Sequence, residues 1–280
     1  MRKKSKTTRQ KKEQPSPAVI LEKFTDKIEE EYNVIFKPND GPQTDFLAAS
    51  EREVLYGGSA GGGKSYAMLA DPLRYMGNPA FSGLLLRHTT EELRELITKS
   101  QEMYPKIWPG IKWSERKMQW TAPSGAKLWL SYLDKDQDVT RYQGLAFSWI
   151  GFDELTQWAT PFAWSYMRSR LRSADPTLPL SMRATTNPGG RGHGWVKKMF
   201  IDPAPAGKSY IATDIETGEQ LKYPAGHEKA GRPLFKRRFI PARLKDNPYL
   251  AQQGDYEAML LSLPEQQRRQ LLDGDWDIKE

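Results

Sequence analysis

Along this chain short apolar runs alternate with stretches whose apolar residues recur at helical spacing, and that alternation predicts an α/β fold. Val54-Leu55-Tyr56 is a continuous apolar run ending in glycines, as a buried strand does, and Tyr66-Ala67-Met68-Leu69 opens a helix behind it. That helix starts at Lys64 and heads towards Met76, with Pro72 expected to kink or shorten it. Residues 83–87 (GLLLR) predict another buried strand, followed by a helix over about 91–103. Residues 118–120 and 126–132 predict the two strands of a hairpin turning at Pro123-Ser124-Gly125, and further strands are expected at 147–152 and 180–185. Upstream, residues 19–32 place Ile20, Leu21, Phe24, Ile28 and Tyr32 on one helical face, and residues 43–49 predict a short helix just before the first strand. Strands alternating with helices imply a mainly parallel sheet covered by helices on both faces.

From Gly189 onward the pattern changes, with Gly-Gly, Pro-Ala-Pro and Pro-Ala-Gly as punctuation. Residues 209–215 and 219–223 predict a hairpin about Thr217-Gly218, and 236–240 a further strand. Asn247 before Pro248 supplies an N-cap and a first-turn proline for a helix to about Leu261. A second helix over 264–272 stops before Gly274. The chain therefore divides into a tail (1–17), an α/β core (18–192), a small lid (193–273) and a linker stub (274–280).

Charge changes the picture only locally. The net charge is +7, but residues 1–14 hold seven Lys/Arg against one acid, so the body is close to neutral and any affinity for a polyanion there needs local patches. The basic tail has too few apolar residues to offset its ordering entropy and is expected to be disordered. No cysteine is present, which excludes disulfides and thiolate metal sites. His88, His193 and His227 lie far apart in sequence, which disfavours a histidine metal site. No run of ~18 apolar residues occurs, so no membrane span is expected.

The strand–helix junction carries the chemistry. Gly58 to Ser65 fits G-x-x-x-x-G-K-[ST] without a mismatch. Gly58, Gly61, Gly62 and Gly63, with the small Ser59 and Ala60, let the backbone bring bare N–H groups to a phosphate. The helix that begins at Lys64, with Tyr66 in its first turn, aims its positive end at the same anion. Lys64 serves as a point charge for the β- and γ-phosphates, and Ser65 offers a hydroxyl to Mg²⁺. Gln43 presents the donor and acceptor that an adenine edge requires, or is a surface glutamine at a helix start.

Residues 148–154 (SWIGFDE) form an apolar strand ending in two carboxylates, about ninety residues after the loop. Asp153 would hold Mg²⁺ opposite Ser65, and Glu154 would take a proton from, or orient, the water that attacks the γ-phosphate. Thr185, Thr186 and Asn187 end the next strand, where a polar side chain reaches both the γ-phosphate and the lid; an ordinary Asn-Pro turn is the alternative. Arg141, in a polar loop twelve residues before Asp153, has the fork geometry to meet a transferring phosphoryl group, or else pairs with Asp136 or Asp138.

PQTDFL, GGSAGGGKS, RYQGLAFSWIGFDELTQ, ATTNPGG and NPYL…LPEQQRRQLLDGDWD together resemble the large terminase subunit of tailed bacteriophages, over about residues 40–277. The resemblance implies a P-loop NTPase fold with a lid, and an ATPase with ATP and Mg²⁺ that drives DNA into a procapsid. It implies Gln43 as the adenine contact, Lys64 and Ser65 as the phosphate-loop pair, Asp153 and Glu154 as metal and catalytic acids, and Thr185–Asn187 as a coupling element. The implied partners are double-stranded DNA, a portal protein and a small terminase subunit, in the host cytoplasm. The chain is expected to be a monomer in isolation and a homo-oligomeric ring when docked, with Arg141 acting in a neighbour's site. Family members usually continue into a nuclease domain. Asp273, Asp275 and Asp277 read as solvated acids, so this chain is expected to be an ATPase module that does not cut DNA. Another nucleic-acid-stimulated P-loop ATPase or helicase-like motor is the alternative.

Overall fold

In the computed structural model, which describes residues 36–252 and 254–278, the described strands form one sheet of nine in the order β3-β4-β5-β2-β6-β7-β1-β9-β8. They are β1 (Glu53–Gly58), β2 (Ser82–Arg87), β3 (Lys112–Ser114), β4 (Gln119–Thr121), β5 (Lys127–Tyr132), β6 (Trp149–Asp153), β7 (Ser181–Thr186), β8 (Ser209–Ile211) and β9 (Lys236–Ala242). The interior run from β5 to β9 is parallel, while β3, β4 and β8 add antiparallel edges. The described residues from Pro38 onward make one compact unit. The tail and the helix expected over 19–32 lie outside the described residues.

Period-two alternation divides the core between the two faces of the sheet. Leu55 and Phe239 look to one side, together with Leu84, Leu86, Ile150, Phe152, Met182 and Ala184. That face is covered by Ala163, Trp164 and Met167 of a helix at Phe162–Arg168, and by Val196, Met199 and Phe200 of a second at His193–Val196 that widens into a π turn at Lys197–Ile201. Val54, Tyr56, Ile240 and Ala242 look the other way, onto Phe46 and Ala49 at the Pro42–Ala48 helix and Ala67 of the Lys64–Ala70 helix. The latter becomes a 3₁₀ turn at Asp71–Tyr75, where Pro72 removes a backbone donor. Thr89 and Glu92 form a capping box that starts the long Thr90–Ile107 helix. No described helix is long and apolar enough to cross a membrane.

Two divisions drawn from the sequence need correction. β8 and β9, expected in the lid, lie in the core sheet, where β9 runs parallel to β1. The pairing is driven by Phe239 and Ile240, and by Arg237, which is buried because it meets Glu53 across the β1–β9 register at 2.6 Å. The segment expected as a linker stub is not free either, since Trp276 and Ile278 are buried. β3 and the helices at 162–168 and 193–196 are additions that the sequence pattern does not predict.

Candidate active site

Every strand that carries a candidate residue ends on the same edge of the sheet, because β2, β6, β7 and β1 are parallel neighbours. The carboxyl ends of such strands are where open α/β sheets bind ligands. β1 leads into the glycine loop. Gly58 (φ 144°) passes so close to the end of β9 that a Cβ there would sit 2.1 Å from the Ala242 oxygen, so only glycine fits.

The loop's carbonyls are held from outside. Asn247 Nδ2 donates to the Gly61 oxygen (2.6 Å), the Tyr56 hydroxyl to that of Gly62 (2.8 Å), and Gln43 Nε2 to that of Gly63 (3.0 Å). In a trans peptide the N–H points opposite to the carbonyl. Fixing these three oxygens outward therefore turns the N–H groups of Gly62, Gly63 and Lys64 inward, the concavity that binds an anion. Lys64 is buried and donates to the Ser59 oxygen (2.6 Å). Burial pushes its pKa down, while Glu154 and Asp153 favour the ammonium.

Asp153 ends β6 fully buried, held from both neighbouring strands. Thr185 of β7 donates its hydroxyl to Oδ1, and Arg87 at the end of β2 places Nε 2.9 Å from Oδ2. That second contact is poorly aligned, so Oδ2 and Arg87 Nε are both buried without a proper hydrogen bond among the described residues. A buried carboxylate oxygen left so fits a hard cation that takes oxygen ligands. Glu154 follows in the left-handed region (φ 61°), a costly conformation for a non-glycine residue that turns its side chain off the strand. Burial and the adjacent Asp153 push its pKa up; Lys64, Arg87 and the Asn187 backbone N–H oppose the shift. The next turn is anchored by Thr156, bonded to the Thr186 hydroxyl at 2.7 Å, and by Gln157, which donates to Glu92 at 2.7 Å.

One cavity of about 370 Å³ brings most of the predicted site together: Ala60 to Tyr66, Glu154 and Asn187 line it. Gly58, Ser59, Asp153, Thr185 and Thr186 are buried and do not line it. Gln43 is buried against the loop, accepting from the Asn39 N–H (2.6 Å) while it holds Gly63. Arg141 does not line this cavity. It sits exposed in a 3₁₀ turn (Asp136–Tyr142), paired with Asp138 at 3.2 Å and 5.5 Å from the Tyr132 ring. The structure adds Arg87, Tyr56, Asn247, Leu250 and Tyr256, the last two packed against Gly61 of the loop. Of these the sequence singles out Asn247 alone, as an N-cap, which is a different role.

A family profile described as "Terminase large subunit, T4likevirus-type, N-terminal" matches residues 55–278. Among solved structures, the large terminase of a thermophilic bacteriophage in complex with ADP is 15% identical, with a TM-score of 0.60 over 86% of this chain and 54% of that one. The same terminase with ATP-gamma-S gives 15% and 0.58 over 86% and 53%. The large terminase ATPase domain of Thermus phage P74-26 gives 12% and 0.53 over 90% and 98%. This chain thus spans about half the length of the first of these terminases. At these identities the likeness speaks for the fold. No curated protein matches.

Proposed function

Because this chain belongs to the family of T4likevirus-type terminase large subunits, matched over most of its length, we propose that it hydrolyses ATP to move double-stranded DNA into a procapsid. The observation that carries the reading is the phosphate cradle of residues 60–66 facing Glu154 across a single cavity. The N–H groups of Gly62, Gly63 and Lys64 and the Lys64 ammonium bind the phosphates. Gln43 steadies the loop first and offers its remaining amide proton to the adenine edge. Glu154 accepts the proton of the attacking water, and its raised pKa makes it a better base than an ordinary surface carboxylate.

Ser65 and Asp153 would hold Mg²⁺, which, when bound, neutralises charge on the phosphate oxygens. Thr185 and Arg87 keep Asp153 oriented, and Asn187 joins the end of β7 to Glu154. Arg141, outside its own cavity, acts on the nucleotide of a neighbouring copy. A portal protein and a small terminase subunit are the partners that accompany this reading, in the host cytoplasm. Steady-state ATP hydrolysis with and without double-stranded DNA tests it. Turnover that DNA accelerates is expected; no Mg²⁺-dependent hydrolysis under either condition would overturn it.

A further inference from the structure

The motif that ends in Gly274-Asp275-Trp276 has no part in the scheme above, yet it touches both halves of the nucleotide site. On the loop side, the Leu271 oxygen accepts the Ala60 N–H at 2.6 Å. Gly274, left-handed at φ 64°, lies so close that a Cβ there would sit 2.7 Å from the Ser59 nitrogen. Trp276 then packs its indole over Gly57 and against Phe239, in the floor formed by β1 and β9.

On the other side, Trp276 stacks on His193, with ring centroids 5.3 Å apart and planes 18° from parallel. His193 Nδ1 accepts the Gly189 N–H at 2.8 Å, a bond that requires Nδ1 to be unprotonated. Gly189 belongs to the turn directly after Asn187, whose own N–H faces the Glu154 carboxylate. The turn runs through two successive positive-φ glycines, Gly189 (φ 92°) and Gly190 (φ 84°), and so has little stiffness of its own. Among the described residues the buried indole N–H of Trp276 finds no acceptor, so packing and the stack fix the ring.

We propose that Trp276 is a positioning residue for hydrolysis, acting through His193 on the turn that sets Asn187 against Glu154. The C-terminal segment then reads the phosphate loop through Leu271 and Gly274 and the end of β7 through the stack, and transmits the nucleotide state to whatever that segment moves. The inference rests on the ATPase reading and assigns an output element to that site.

The test compares turnover and nucleotide affinity in the full chain. Trp276→Ala should lower kcat about tenfold, the scale of loss from a slightly misplaced reacting group, with affinity for ATP-gamma-S within about twofold. Trp276→Phe, which keeps a ring to stack, should restore most of the rate. His193→Asn keeps an acceptor at the Nδ1 position for Gly189 but loses the stack, so Trp276→Ala should cost little more in that background. An unchanged kcat in Trp276→Ala, or losses that multiply in the double variant, would overturn the proposal. Glu154→Gln run in parallel separates the two failures, since its indifference would remove the assignment of Glu154 as the base, the premise on which the relay rests. Should Trp276→Ala not fold, hydrogen exchange on the wild-type chain decides: adding Mg²⁺ and ATP-gamma-S should slow residues 187–192 and 270–277 together. A change in only one of them, or in neither, would contradict the relay.

Discussion

Replacing Arg87 by methionine removes the cation beside Asp153 while keeping most of the stem's volume. Asp153 is fully buried, and breaking a buried ion pair on one side typically costs ~3–5 kcal/mol because a charge is left uncompensated. Two features place this case at or below the lower end. Thr185 still donates to Oδ1, and the Arg87–Oδ2 contact, though 2.9 Å long, is poorly aligned. A loss of about 2–3 kcal/mol is expected in the nucleotide-free protein. If Mg²⁺ takes over the neutralisation of Asp153, the loss should shrink to about 1 kcal/mol with saturating Mg²⁺ and ADP, the residue being packing of the stem. The difference of about 1–2 kcal/mol corresponds to roughly five- to thirtyfold tighter Mg²⁺-dependent ADP binding by the variant. Urea unfolding with and without Mg²⁺–ADP, and calorimetric titration, measure both quantities. An equal loss of stability in both states would refute the idea that cation and arginine compete for Asp153.

Three further outcomes follow from the same contacts. Burial works to raise the pKa of Glu53, but Arg237 and Arg168 outweigh it, and the carboxyl ends below its ordinary value of 4.5. Its stabilising contribution is therefore full above that value and lost as pH falls through the lowered one. Glu53→Gln should flatten the unfolding free energy against pH on the acid side, and an unchanged slope would contradict this. Glu154 is shifted the opposite way, so its ionised form costs stability that appears as pH rises through its raised pKa. Glu154→Gln should accordingly raise the thermal midpoint of the nucleotide-free protein near neutral pH, and a lowered midpoint would count against the shift. If Arg141 acts on a neighbour, Arg141→Ala should bind ATP normally but lose the rise in turnover per chain on ring assembly. Mixing it with Glu154→Gln should restore part of that rise, and no recovery in rings containing both would count against action in trans.

What the sequence made legible was local. The loop from Gly58 to Ser65 can be read because its glycines, lysine and serine act through their own backbone, and the strand and helix that frame it are adjacent. Asp153 and Glu154 could be read because a strand end in a parallel sheet is itself a position on the ligand-binding edge. The residues that hold these groups act through pairings far apart in the chain. Arg87 reaches Asp153 only because β2 lies beside β6, and Asn247 and Leu271 reach the loop only because the chain returns to it. β9 reads as part of the lid for a related reason: it follows the Gly- and Pro-punctuated segment, and its place in the core depends on Glu53, 184 residues earlier, neutralising Arg237. Trp276 read as linker because its neighbours are acids, although one of them, Asp275, is tied to Arg269.

Turnover by Glu154→Gln, set against its affinity for ATP, tests the central claim most directly. The substitution keeps the side chain's shape and removes the group proposed to accept the water's proton, a contribution of ~10²–10⁴-fold. Steady-state phosphate release should fall by that order, with ATP-gamma-S bound as tightly as by the wild type. Hydrolysis at the wild-type rate, in a variant that binds nucleotide normally, would show that Glu154 is not the base.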